Sequence, residues 1–261
     1  MQVLNWLSER RRRHLLEQPF SAAWLEILER NVAAYPLLDA DEQHRLRELA
    51  QVFIAEKHWE GAGGLDLTDE IRVTIAGTGC QLLLNREHDL FADVRSIVVY
   101  PSAVVLPERP RSFWDPGLEV VQGDTPILGL AGRIDALVLA WDAALHGARD
   151  PSDGSNVVIH ELAHKIDVLD GRADGTPPLP SRDARRAWAK AFEPAFLAHR
   201  ERAERGEPSL LSDYAITNEA EYFAVATEMF FERPRALADE LPEVYDQLKD
   251  FFRLDLAARV R

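Results

Sequence analysis

An α+β fold is what this sequence predicts: helices first, then a small central sheet, then a helix bearing His160-Glu161-Leu162-Ala163-His164, and a helical C-terminal part. Three observations carry that reading. Apolar residues recur at helical spacing within 22–58, and the chain beyond 181 reads as mostly helical with interspersed charges. Short apolar, β-branched runs bounded by Pro and Gly occupy 96–141. No internal repeat or low-complexity linker interrupts the chain, so residues 1–261 read as one domain. Within it, 1–90 is mainly helical, 91–170 holds the sheet and the motif helix, and 171–261 is helical.

The first element is an exposed helical start. Arg10-Arg11-Arg12-Arg13 follows a short apolar group, Val3, Leu4, Trp6 and Leu7. Trp6 with four arginines could touch an anionic membrane or partner, although such charge runs are usually solvated. A secretory signal would place an unbroken apolar stretch after the charges, and His14-Leu15-Leu16-Glu17-Gln18-Pro19 breaks any such stretch. No segment approaches the ~18 continuous apolar residues of a membrane span.

Two helical blocks follow over 22–58, divided near Pro36. Trp24, Leu25, Ile27 and Leu28 make one core stripe. Leu46, Leu49, Ala50 and Phe53 make the other, flanked by Arg45 and Arg47, which should face water. Gly61-Ala62-Gly63-Gly64 interrupts the pattern, and Thr68-Asp69-Glu70 offers caps for a helix reaching 82–84. Strands are expected at 96–100, 104–106, 118–122, 127–131 and 136–141, with turns at Gly123-Asp124 and Gly132. Beyond the motif helix and its stop at Gly171, residues 171–180 form a polar loop. Residues 181–206 are helical, kinked or divided by Pro194. A helix over 219–232 stops at Pro234, or Pro234 starts the next, and a last helix runs to about Leu256.

Composition sets limits on function. With 46% hydrophobic and 28% charged residues the chain is globular. A net charge of −14 argues against direct nucleic-acid binding and suits solubility or a basic partner. Cys80 is the only cysteine, so no intramolecular disulfide forms, which fits a reducing compartment.

The chemistry is concentrated in His160-Glu161-Leu162-Ala163-His164. Residues four apart share a helix face, so the two imidazoles can chelate one zinc ion. Glu161 then stands beside the activated water and can take its proton. Asp153-Gly154-Ser155-Asn156 supplies cap types upstream, and Val157, Val158, Ile159 and Leu162 make the helix a largely buried one. Unpaired polar groups are costly there, and a metal is a good reason for them.

A catalytic zinc usually has three protein ligands. Asp167 is nearest in sequence but about 10.5 Å along the axis from His160 at the helical rise. Supporting a ligand without touching the metal, or simple solvation, fits Asp167 better, and Asp170 lies farther still. Glu221, in Asn218-Glu219-Ala220-Glu221-Tyr222-Phe223-Ala224-Val225, is the better candidate, on a second helix crossing the first. On spacing alone it reads equally as a solvated glutamate. Glu228 shares its face two turns on and can orient a ligand histidine or be exposed; Glu219 should point away. Tyr214, seven residues before Glu221, can donate to an oxyanion, although a lone tyrosine is more often packing.

His160-Glu161-Leu162-Ala163-His164-Lys165-Ile166-Asp167, Tyr214 and Glu221-Tyr222-Phe223-Ala224-Val225 together resemble the Mlc titration factor A family of bacterial zinc peptidases. Phe53-Ile54-Ala55-Glu56-Lys57, Gly61–Leu67, Asp69–Ala76 and Ser96–Ala103 extend the likeness, which covers roughly 20–235. The resemblance implies a zincin-like, gluzincin-type metallopeptidase fold and a cytoplasmic enzyme. It implies that His160, His164 and Glu221 bind one Zn2+, that Glu161 is the general base, and that Tyr214 lies near the developing oxyanion. The Tyr-to-Glu spacing is also similar to that of the anthrax lethal factor catalytic domain. The family implies aminopeptidase-type cleavage of small peptide substrates and binding of an Mlc-like transcriptional repressor. Three readings follow: a zinc peptidase, a repressor-titrating protein with weak or partner-gated hydrolysis, and a zinc hydrolase of another amide or ester.

Overall fold

The computed structural model describes residues 2–86, 88–102 and 135–259. The expected strands 104–106, 118–122 and 127–131, with the turns between them, lie outside the described residues. Helix α1 (Gln2–Leu16) opens the chain, and Arg12 forks onto Glu56 at 2.6 and 2.8 Å rather than facing water alone. α2 (Ala22–Asn31) and α3 (Ala40–Glu56) are the two expected blocks, separated by a turn of 3-10 helix at Tyr35–Leu37. α3 begins in a capping box, with Asp39 accepting from Glu42 N and the Glu42 side chain reaching back to Asp39 N. Arg47 binds the Tyr35 hydroxyl at 2.7 Å, so it is not simply solvated as its place beside the stripe suggests.

Three elements depart from the expectations. Strand β1 (His58–Gly61) falls where only a helix end and a glycine-rich break were expected. It is short and mostly exposed, so it carries no alternating apolar signal. α4 (Asp69–Gly79) starts at the Thr68 cap as expected but stops before 82–84, passing into a 3-10 turn over Cys80–Leu83. After β2 (Ser96–Tyr100) and β3 (Ala136–Ala140), Trp141 begins a helix, α5 (Trp141–Arg149), instead of ending the strand. Ala140 at its N-cap offers no side-chain cap, which is why the sequence gives no start signal there.

The sheet order is β1-β2-β3, all parallel, with Ile97 paired to Trp59 and to Leu137. Parallel strands need crossovers, and α4 provides the one between β1 and β2. The central strand β2 is buried throughout. Ile97, Val99, Leu137 and Leu139 face the main core, while Val98 and Tyr100 pack with Ala62 and Val138 on the other face.

The main core joins residues from Ile27 to Ala257. Through it runs α6 (Val157–Asp167), which packs on α4, β3 and α8 (Glu219–Glu232). Contact with α4 is close: a Cβ on Gly79 would meet the Leu162 side chain at 2.5 Å. α7 (Arg182–Glu204) continues through Pro194 as one helix, so the proline does not divide it. Pro234 starts α9 (Pro234–Glu240), and a further proline starts α10 (Pro242–Phe252). The end is thus two helices, and it falls at Phe252 rather than near Leu256, where Arg253 adopts the left-handed conformation. No described helix is long and apolar enough to cross a membrane.

Candidate metal centre

α6 starts where Asn156 caps it, its side chain accepting from Ile159 N at 3.2 Å. Val158, Ile159, Leu162, Ala163 and Ile166 are buried and fix the helix rotation. That rotation turns His160 and His164 toward α8. α8 starts at Asn218, whose side chain accepts from Glu221 N at 2.9 Å. Ala220, Phe223, Ala224 and Phe230 are buried to 2% exposure or less and hold α8 in the core, and Glu221 lies in its first turn.

Three side-chain atoms then converge. His160 Nε2 and His164 Nε2 are 3.1 Å apart. Glu221 Oε2 lies 3.1 Å from the first and 3.2 Å from the second. Among the described residues this is the one cluster of histidine, cysteine and carboxylate groups with metal-ligating spacing. Burial disfavours charge on the His160 ring, but hydrogen bonds to Glu221 and Glu228 and the charges of Glu228 and Glu161 push it up to about 10. Burial likewise opposes the Glu221 charge, yet hydrogen bonds from both histidines hold its carboxyl well below the usual carboxylate range. Such a donor set gives up a proton when it takes a metal.

The surrounding groups are specific. Glu228 Oε1 is 2.7 Å from His160 Nδ1, and its Oε2 accepts from Asn156 N at 2.6 Å. Tyr214 sits in a 3-10 turn over Asp213–Ile216, and its hydroxyl donates to Glu221 Oε1 at 3.0 Å. Its ring centroid is 5.8 Å from that of His160. Glu161 is part-exposed on the adjoining position of α6, and its charge acts on both His160 and Lys165. Glu219 is exposed, as its helical offset requires.

Asp167 departs from the solvated reading. It is fully buried and outside the cluster, and its Oδ2 accepts from Gly175 N at 3.1 Å. Burial pushes its carboxyl up to about 6 against that bond. Its contact ties the 171–180 loop to α6, and Gly175 O in turn accepts from Trp188 at 3.0 Å. Asp170 pairs with Arg185 at the surface.

The family model for glucose-regulated metallo-peptidase M90 matches residues 6–253. The chain belongs to this family. An Mlc titration factor A of Edwardsiella ictaluri is 33% identical to it over 236 residues, 87% of each chain. That of Klebsiella pneumoniae is 29% identical over 242 residues, 91% of this chain and 88% of the relative. An uncharacterized protein of Synechocystis sp. is 30% identical over 253 residues, 96% of this chain and 90% of its own. Membership of the M90 family implies a metal cofactor, and the His160, His164 and Glu221 cluster offers it a place.

Asn156 and Glu232 are the residues that motif reasoning passes over. Asn156 was visible only as a cap type. Glu232 shares a helical stripe with Glu221 and Glu228, since steps of 7 and 11 residues return to within about 20° of the start. Three glutamates on one stripe of an otherwise apolar helix are the signal that could have found it.

Proposed function

We propose that this M90 protein is a zinc-dependent peptidase with a zincin-like, gluzincin-type fold forming a single catalytic domain. In this reading His160, His164 and Glu221 hold one Zn2+, Glu161 is the general base and Tyr214 serves the oxyanion. The observation that carries it is the triangle of ligand atoms with sides of 3.1, 3.1 and 3.2 Å. A tetrahedral ion bonded at 2.0–2.1 Å has ligand atoms about 3.3–3.4 Å apart, so the triangle needs to open by only a few tenths of an ångström. Two imidazoles and a carboxylate are also a donor set that zinc favours. When bound, zinc supplies Lewis-acid polarisation of a carbonyl and makes a water acidic near neutral pH.

The residues of this chain do the rest. Glu161, part-exposed beside His160, accepts the proton of the attacking water and passes it to the amine as the C–N bond breaks. Glu228 accepts from His160 Nδ1, which leaves Nε2 as the ring's ligand atom. The Tyr214 hydroxyl, within 3.0 Å of Glu221, turns from that carboxylate to the oxygen that gains charge. β3 is an edge strand among the described residues and offers backbone groups to an extended, small peptide. Aminopeptidase-like cleavage and a cytoplasmic location belong to the same reading.

The experiment is zinc content and peptide hydrolysis measured side by side for the wild type and Glu161→Gln. One zinc in both, with hydrolysis lost only in the variant, is the expected result. Normal turnover by a folded, metal-loaded Glu161→Gln protein would refute the base assignment. A second reading is favoured by the relatives called Mlc titration factor A. In it the chain captures an Mlc-like transcriptional repressor, and hydrolysis is weak or partner-gated. Retention of such a repressor by Glu161→Gln in a pull-down separates binding from catalysis.

A further inference from the structure

Glu228 is not placed by its own helix alone. Both of its oxygens are held by α6, Oε1 on His160 Nδ1 at 2.7 Å and Oε2 on the backbone N–H of Asn156 at 2.6 Å. Asn156 in turn uses three polar groups at once. Its N–H serves Glu228, its Oδ1 caps the helix at Ile159 N, and its Nδ2 donates to Glu232 Oε1 at 2.9 Å. Asn156 is 1% exposed, so none of these bonds is exchanged readily with water. Glu232 keeps its other oxygen, Oε2, buried without a partner. A buried carboxyl oxygen with no partner is costly, and the bond to Asn156 is the hydrogen bond the described residues show for it.

We propose that Asn156 and Glu232 are positioning residues for the metal centre, which through Glu228 fix the orientation and tautomer of the His160 imidazole. The inference rests on the zinc reading of the cluster given above. Its physics is a chain of fixed contacts. Glu232 holds the Asn156 side chain, Asn156 holds Oε2 of Glu228, and Glu228 accepts the Nδ1 proton of His160. With that proton on Nδ1, the Nε2 lone pair faces the metal position. Partners that fix a ligand histidine in this way are worth 10–100-fold in metal affinity. The cap bond couples the same asparagine to the start of α6, so loss of the side chain leaves the backbone N–H in place but frees the helix end and the turn that aims that N–H at Glu228.

The test is zinc affinity of the full chain, measured by competition with a chromophoric chelator, together with the ring nitrogen NMR shifts of His160 in the zinc-loaded protein. The variants are Asn156→Ala, Glu232→Ala and Glu232→Gln, compared at a temperature where circular dichroism shows all of them folded. Asn156→Ala and Glu232→Ala are expected to weaken zinc binding roughly 10-fold or more and to broaden or shift the His160 Nδ1 resonance. Glu232→Gln keeps an acceptor for Asn156 Nδ2 and is expected to remain within about twofold of wild type. A merely structural role would lower thermal stability in Asn156→Ala and Glu232→Ala without moving the His160 resonance, and that result would overturn the proposal. Alanine variants with wild-type affinity and an unshifted resonance would overturn the proposal, as would Glu232→Gln as impaired as Glu232→Ala. If Asn156→Ala does not fold, the two Glu232 variants still decide. A wild-type protein that takes up no zinc, or a Glu221→Gln protein that binds it undiminished, would instead defeat the metal site itself.

Discussion

The carboxyl of Glu232 should make the protein less stable as pH rises, and Glu232→Gln should remove that dependence. Burial pushes this group up to about 8; its hydrogen bond to Asn156 works against the shift, and the nearby charges of Glu228, Asp153 and Asp150 add to it. The unfolded chain ionises it near the ordinary value of 4.5. Between those two values the folded protein holds a proton that the unfolded chain has released, so stability falls with increasing pH. Each tenfold change in proton affinity is worth about 1.4 kcal/mol. The full penalty at pH 8 is then on the order of 4 kcal/mol, reduced toward about 2 kcal/mol for the solvent contact the residue keeps. Urea unfolding of wild type and Glu232→Gln from pH 5 to pH 9 reads this directly. The variant should gain on wild type by up to about 1.4 kcal/mol per pH unit until pH 8 and then level off. A stability difference that stays constant across the range would show that Glu232 is already ionised in the folded state.

Other outcomes follow from single contacts. Glu221→Gln should abolish stoichiometric zinc while leaving the fold intact, checked by metal analysis after gel filtration; retained zinc would remove Glu221 from the ligand set. Tyr214→Phe should keep zinc and lower kcat by about 10²–10³-fold, the typical cost of one oxyanion donor, and an unchanged kcat would leave the hydroxyl with Glu221 alone. Leu162→Ala, at a fully buried residue against Gly79, should cost about 2–5 kcal/mol in chemical denaturation. Asn218→Ala removes the α8 cap and should cost about 0.5–2 kcal/mol. Because that cap holds the backbone of Glu221, it should weaken zinc binding as well.

What could be read in advance was whatever local chemistry writes into the chain. α6 announced itself through its caps, its apolar face and two histidines four apart, and α8 through its apolar residues. Thr68, Asn156 and Asn218 all cap the helices that follow them. The misses have one cause, the absence of a local signal. β1 is an exposed edge strand held by pairing with β2, a contact made across more than 30 residues. α5 begins without a side-chain cap. α4 tightens into a 3-10 turn after Gly79, where it passes close against α6, and no pattern inside α4 reveals that packing. Asp167 could read as solvated because periodicity cannot say that the 171–180 loop folds back to cover it.

The arrangement of the site is more constrained than a list of ligands suggests. Glu221 in the first turn of α8 meets the middle of α6, while Glu232 in its last turn meets Asn156 at the start of α6. The two helices therefore run in opposite directions, and one stripe of α8 tracks one stripe of α6. Glu228 and Glu232 come to the N-terminal end of α6, where N–H groups without helical partners are free to bond side-chain oxygens. Glu228 takes advantage of this by accepting from the Asn156 N–H, an orphan donor that side-chain capping does not satisfy. The same carboxylate thus completes the helix end and orients the imidazole one turn along it. Sliding α8 by a single residue would rotate its stripe by 100° and detach all three glutamates together. The packing of Ala220, Phe223, Ala224 and Phe230 against the core is therefore as much a part of the candidate metal centre as the three converging side-chain atoms.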